Sequence, residues 1–224
     1  MTLTYPEAYQ IIGGISKPSK MPGTSWSISA FECGTGQKLR QIPGSVCEKC
    51  YACKGAYLWP NTKNALQRRL DGVSHPQFEE AFILVLQTLY NGRRNTYKRD
   101  GVDVKENRHR WFDSGDLQSA AMLHTLNRIA LATPYLDHWL PTKEPGYVNQ
   151  FRKEGGIIAP NLIIRVSNPM VGQAFKSQPQ GLNTSTVGVD SATIHCIAPQ
   201  QDGKCLDCRQ CWDKTIPNVN YHIH

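Results

Sequence analysis

Hydrophobic positions along the chain switch between two periods. Residues 24–31 (TSWSISAF) alternate and read as a strand. Residues 64–70 look helical. A clearer helix follows from Ser74, where Ser74 and Gln77 form a capping box and Phe78, Ala81, Phe82, Val85, Leu86, Leu89 and Tyr90 recur at helical spacing. A basic loop leads to a short strand at 109–112. The next helix spans 116–131, with Asp116 able to cap it and Leu123, Leu126, Ile129 and Ala130 on its buried face. Residues 138–140 form a strand that breaks at Pro141. Residues 147–153 form a helix stopped by Gly155-Gly156, and 161–167 (NLIIRVS) is the strongest strand. Shorter strands are expected at 184–189 and 193–197.

Such alternation calls for parallel strands with crossover helices. The expected class is α/β: a partial (β/α) barrel of five or six strands, since a complete barrel needs about 250 residues and the chain has 224. The barrel domain is placed at 1–190, with a Cys-rich loop at 33–55. A Cys-rich C-terminal cap is placed at 191–224.

The cysteines change this picture most. Cys47, Cys50 and Cys53 stand at two-residue gaps, and Cys205, Cys208 and Cys211 repeat the spacing. Cys33 precedes the first run and Cys196 the second, so all eight cysteines fall into two sets of four. Short gaps let several sulfurs turn toward one centre, and thiolates select zinc or iron–sulfur clusters. Zinc sites usually pair cysteines, whereas consecutive triplets are the habit of ferredoxin clusters; one or two 4Fe-4S clusters are therefore favoured over zinc. No apolar run is long enough to cross a membrane, and the N-terminus lacks a secretory pattern. A cytoplasmic, reducing location is expected, where such cysteines are metal ligands rather than disulfides.

Further chemistry is expected at the C-terminal ends of the strands. Asp113 and Asp116 can act as acid, base or ligand, although capping is the plainer role for Asp116. Ser114, Gly115, Ser167 and Asn168 would line a ligand pocket. Gly115 would permit a tight turn or a close ligand approach. Lys143 and Glu144 would bind a ligand or pair with each other. Trp59, Trp111, Trp139 and Trp212 are expected in the core or shielding a cluster. His222 and His224 form either a metal-binding tail or a frayed end. The chain carries 25 basic and 18 acidic residues. Arg93, Arg94, Lys98, Arg99, Lys105, Arg108, His109 and Arg110 offer a nucleic-acid contact or a solvated loop.

The segments GSVCEKCYACKGAY, RWFDSGDLQS and HWLPTKE resemble the phage "gene product 88" family. The matching positions are Cys50, Tyr51, Ala52, Gly55, Tyr57, Asp113, Ser114, Gly115, Asp116, Thr142 and Lys143. That resemblance implies a phage or prophage origin, hence the host cytoplasm. The layout is also similar to radical S-adenosylmethionine enzymes, which place three cluster cysteines after the first strand of a partial barrel. It implies S-adenosylmethionine as a cofactor, with DSGD where those enzymes hold its amino group. The first cysteine gap is one residue shorter than theirs, and Cys33 offers a fourth ligand that would leave no iron open. Two alternatives therefore stand beside a radical enzyme acting on a small molecule. One is a non-catalytic protein with two closed iron–sulfur sites; the other is a zinc protein that binds nucleic acid.

Overall fold

A computed structural model describes residues 2–91, 96–99 and 102–223, without the side chains of 96–99, 102–104 and 180. The strands are β1 (Thr24–Trp26), β2 (Thr96–Arg99), β3 (Val102–Lys105), β4 (Arg108–Trp111), β5 (Asp137–Thr142), β6 (Leu162–Ser167), β7 (Asn183–Val187) and β8 (Asn218–Tyr221). The helices are α1 (Tyr5–Ile11), α2 (Gly34–Leu39), α3 (Pro60–Gly72), α4 (Phe78–Asn91), α5 (Ala120–Ala132) and α6 (Pro145–Lys153).

Six strands form one parallel sheet in the order β1-β4-β5-β6-β7-β8. Once the β2–β3 hairpin is set aside, each strand lies beside its predecessor in the chain. Among the described residues nothing pairs β8 with β1, so the sheet is open. The segment 191–224 supplies the last strand of this sheet.

Strand side chains alternate between faces, and the two faces differ. On one, Trp26, Trp111, Leu140, Leu162, Ile164 and Val166 join the main core with residues of α1, α4, α5 and α6. Helix α4 buries Phe78, Ala81, Phe82, Val85, Leu86 and Tyr90 there, largely the stripe its periodicity announces. Each large side chain so buried contributes about 1.5–3 kcal/mol. On the other face, Trp139 and Ile163 pack with Trp212, Met21, Cys211 and Tyr221.

Several expected elements are corrected. Helix α4 begins at Phe78 rather than Ser74. The Ser74 amide is turned back to Asp71 and the Gln77 amide is taken by His75 Nδ1, so the capping box does not form. Ser119, whose Oγ accepts from the Met122 amide at 3.0 Å, caps α5 in place of Asp116. Strand β5 runs through Pro141. Its pairing with β4 ends at Trp139, so beyond that point a missing donor costs no bond on the β4 side. Residues 193–197 make a single bridge, His195 to Asn220, instead of a strand. Trp59 is 65% exposed, while Trp111, Trp139 and Trp212 are buried. No helix among the described residues is long and apolar enough to cross a membrane.

Candidate metal and ligand site

The carboxyl ends of the parallel strands surround a cavity of about 540 Å³. Its wall includes Cys33, Cys47, Cys50, Asp113, Ser114, Gly115, Asp116, Lys143, Ser167 and Asn168, so most of the expected site residues meet there. Cys53 is held beside it, accepting a hydrogen bond from Arg40 Nη2 at 2.7 Å.

The three motif segments hold one another in place. Asp116 accepts from Thr142 Oγ1 at 2.6 Å, from the Lys143 amide at 2.8 Å and from the Leu117 amide at 2.8 Å. This clasp ties the loop after β4 to the end of β5. Tyr51 donates to the Asp113 carbonyl, and the Tyr57 hydroxyl lies 3.5 Å from Asp113 Oδ2. The cysteine loop is thereby tied to the same turn. Ser114 Oγ donates to Ile28 O at 2.8 Å. At Gly115, φ is +80° and a Cβ would sit 2.4 Å from Ile28 Cγ1, so close packing on the chain after β1 demands glycine. Glu144 does not pair with Lys143; it accepts from the amide and hydroxyl of Thr35 at 2.6 and 2.8 Å, anchoring α2 just after Cys33.

Burial pushes the Cys33 thiol up to about 12, with Asp116, Cys50 and Cys47 adding to the rise and Lys143 opposing it. Cys47 is raised mainly by burial, again against Lys143. Cys53 is pushed up to about 11 by burial and Cys50, against Arg40. Asp116 is raised by burial to about 6, even though its hydrogen bonds and Lys143 favour the carboxylate. Lys143 therefore supplies the positive charge shared by Cys33, Cys47 and Asp116. A Cβ at Gly36 would fall 3.5 Å from the Cys33 sulfur and 3.7 Å from that of Cys47. Glycine there leaves both thiols room.

The second set is enclosed differently. Cys196, Cys205, Cys208 and Cys211 line a cavity of about 20 Å³ with Gln210 and Trp212. Burial pushes Cys211 up to about 12, opposed by the Tyr221 hydroxyl 3.0 Å from its sulfur and by the charges of Arg165 and Arg110. Arg165, fully buried on β6, donates to the carbonyls of Gln210, Cys211, Asp213 and Ile216 at 2.7–3.0 Å and to Thr184 O at 3.4 Å. It fixes the loop that carries Cys211. Between Cys205 and Cys208, Leu206 takes φ +42°, an uncommon state for a bulky residue.

Among the described residues, no group of three or more His, Cys, Asp or Glu side chains is placed to hold a metal ion. A single zinc needs four ligands about 2.0–2.3 Å from one point. A cluster distributes its thiolates over separate irons, so its ligands stand further apart. The free thiols of Cys33, Cys47, Cys50 and Cys53 are soft donors of the kind that either group takes.

The sequence pattern of the family described as gene product 88 matches residues 33–214. The chain belongs to the gene product 88 family. That match starts at Cys33 and takes in both cysteine sets and all three motif segments. No curated protein and no solved structure matches this gene product 88 member.

Among the described residues, the basic run does not make one surface. Arg93 and Arg94 lie outside the described residues, as does His224, and the side chains of Lys98 and Arg99 are not described. His109 is fully buried in the core, Arg108 pairs with Glu106 and Asp137, and Arg110 faces the cavity. His222 is exposed, its ring 6.3 Å from that of His195. Sequence reasoning missed Tyr51 and Tyr57 as ties to Asp113, and Arg110, Arg165 and Tyr221 as residues of the inner sheet face. For Arg110 the signal was present: Arg108 and Arg110 alternate with His109 and Trp111, which puts them on the opposite face.

Proposed function

We propose that the chain is an iron–sulfur protein with a radical S-adenosylmethionine-like partial barrel, whose mouth is a reaction site for a small molecule. One observation carries the reading: Cys33, Cys47 and Cys50 share a cavity with polar groups from the ends of successive parallel strands. Sequential order in an open six-stranded parallel sheet supports the partial-barrel part of this reading. Cys47, Cys50 and Cys53 would hold a 4Fe-4S cluster at the mouth. Such a cluster, when bound with one iron open, supplies one-electron reduction to a chelated S-adenosylmethionine.

The chain's own residues then have separable tasks. Lys143 offsets the negative charge of the thiolates, since it lowers the cost of ionising Cys33 and Cys47. Asp116 orients Thr142 and the Lys143 amide, and can hold a proton near neutral pH. Asp113, braced by Tyr51 and by the Ser27 hydroxyl 3.0 Å from its amide, presents its carboxylate to the cavity. Ser167 and Asn168 close the far wall.

A second reading has its own support. Gly36 leaves the Cys33 sulfur beside that of Cys47, so Cys33 is available as a fourth ligand. Four protein ligands would close the site and make the cluster structural or electron-transferring. Purification without oxygen, with iron and sulfide measured per chain, tests the cluster; a colourless, iron-free protein overturns it. Incubation of the reduced protein with S-adenosylmethionine separates the two readings. The open site yields 5′-deoxyadenosine and keeps its cluster in Cys33→Ser. The closed site yields none and loses its cluster in that variant.

A further inference from the structure

Three neighbouring strands each carry a buried polar atom without a hydrogen-bond partner among the described residues. Ser25 on β1 is in register with Arg110 on β4, and Arg110 is in register with Trp139 on β5. Residues aligned in this way project from the same face of the sheet. Ser25 Oγ, Arg110 Nε and Trp139 Nε1 are each buried with no hydrogen-bond partner among the described residues. Each can donate a hydrogen bond, and buried donors without acceptors are rare in folded proteins. Arg110 and Trp139 line the large cavity, and the guanidinium lies 4.5 Å from the Trp139 ring centroid.

Arg110 also lacks a counterion. No carboxylate among the described residues reaches ion-pair distance from it. Its Nη1 meets the Met21 thioether at 3.6 Å, a weak acceptor, and its side chain also bonds the Tyr51 hydroxyl, a neutral group. Burial opposes the charge, yet Tyr51, Asp113, Tyr221 and Cys211 more than offset that and keep the guanidinium protonated. A half-buried cation facing a cavity, beside the unsatisfied Trp139 donor that also lines it, is complementary to an anion.

We propose that Arg110, with Trp139 beside it, anchors an anionic group of the cavity's ligand, a carboxylate or a phosphate. The inference rests on the cavity being a ligand site, as proposed above, but does not need the cluster. It limits the substrate class to small molecules that carry such a group at the end reaching toward β4 and β5.

The intact chain is titrated separately with inorganic phosphate and with acetate, and the melting temperature and tryptophan fluorescence are followed. A saturable response to at least one anion is expected, and the stronger responder names the group. Arg110→Gln should weaken that response about tenfold, Trp139→Phe should weaken it less, and Arg128→Gln on the surface should leave it unchanged. If Arg110→Gln fails to fold, the native protein is treated with phenylglyoxal and Arg110 modification is read by peptide mass. The preferred anion should protect Arg110. No saturable response to either anion, an undiminished response in folded Arg110→Gln, or unprotected modification would overturn the anchor. Iron and sulfide are measured on the same preparations. A chain that loads iron but binds neither anion loses this inference alone, and one that binds an anion but takes up no iron loses the cluster alone. An Arg110→Gln variant that loses iron while its anion response stays whole would assign Arg110 to the thiolates instead.

Discussion

The two cysteine sets share their spacing and little else. The first sits at the mouth of a cavity of about 540 Å³, and two of its sulfurs crowd a glycine. The second closes around about 20 Å³, against Trp212 and the loop held by Arg165. One set has space for a ligand beside its thiols and the other has none. Repeated sequence therefore does not mean repeated use: the mouth set has the surroundings of chemistry, and the enclosed set has those of structure.

The largest effect is expected where the enclosed set is held. Arg165→Leu would strip donors from several buried carbonyls at once. A loss of about 3–5 kcal/mol is expected, read as a lower urea midpoint or as failure to fold; a midpoint within error of the parent would dissolve the distinction between the sets. Next, Cys208→Ser and Cys50→Ser are compared in the metal-loaded protein. The first should lower the melting temperature more than the second, and equal losses would make both sets structural.

A pH series sharpens the contrast between core and mouth. Burial lowers His138 to about 3 and holds His109 well below its ordinary value, with His138 adding to the effect. An unfolded imidazole titrates near 6.5. Below that pH the unfolded chain binds protons that the folded core refuses, so each histidine lowers stability by about 1.4 kcal/mol per pH unit until its folded value is reached. Asp116 acts oppositely: it is raised from 3.8 to about 6, and stabilises the fold more as pH falls through that window. The net expectation is a fall in stability from pH 6.5 to 4, with a slope close to that of one histidine below pH 6. Urea titrations of the parent and His138→Asn should show a shallower slope in the variant. An unchanged slope would remove the buried imidazole from the account.

The smallest effect on stability is expected at the mouth. Gly36→Ala places a Cβ 2.9 Å from that of Cys33. Metal uptake by the first set should fall while the melting temperature moves little, as checked by iron content and thermal melts. Unaltered uptake would mean that the two thiols do not act together.

The sequence was most readable where one physical rule acted alone. The stripe of α4 and the run of β6 depend on burial, and both stand close to where their patterns put them. The strand-end residues line one cavity because parallel sheets gather polar groups at one edge. Expectations failed where local rules met tertiary contacts. Asp116 has the chemistry of a cap, but Thr142 and Lys143, 26 and 27 residues away, claim its oxygens. Glu144 is taken by Thr35, 109 residues away. Strand β8 (NVNY) is short and half polar, because Asn220 bonds His195 and Val189 instead of facing an apolar layer. No spacing rule in the sequence encodes such partners.

The sheet's sequential order has a consequence for synthesis. Strand β1 is made before its partner β4, which lies more than eighty residues later, and β8 follows last of the sheet strands. At about 5–20 residues per second, the ribosome exposes Cys33, Cys47, Cys50 and Cys53 for seconds before β4 can dock beside them. The second set is completed only when Cys211 has been made, long after the first. The thiols at the mouth thus spend the longest time uncaged in the newborn chain, and if they hold the cluster proposed above, the timing of iron delivery and the redox state around the ribosome would decide how many finished molecules are competent.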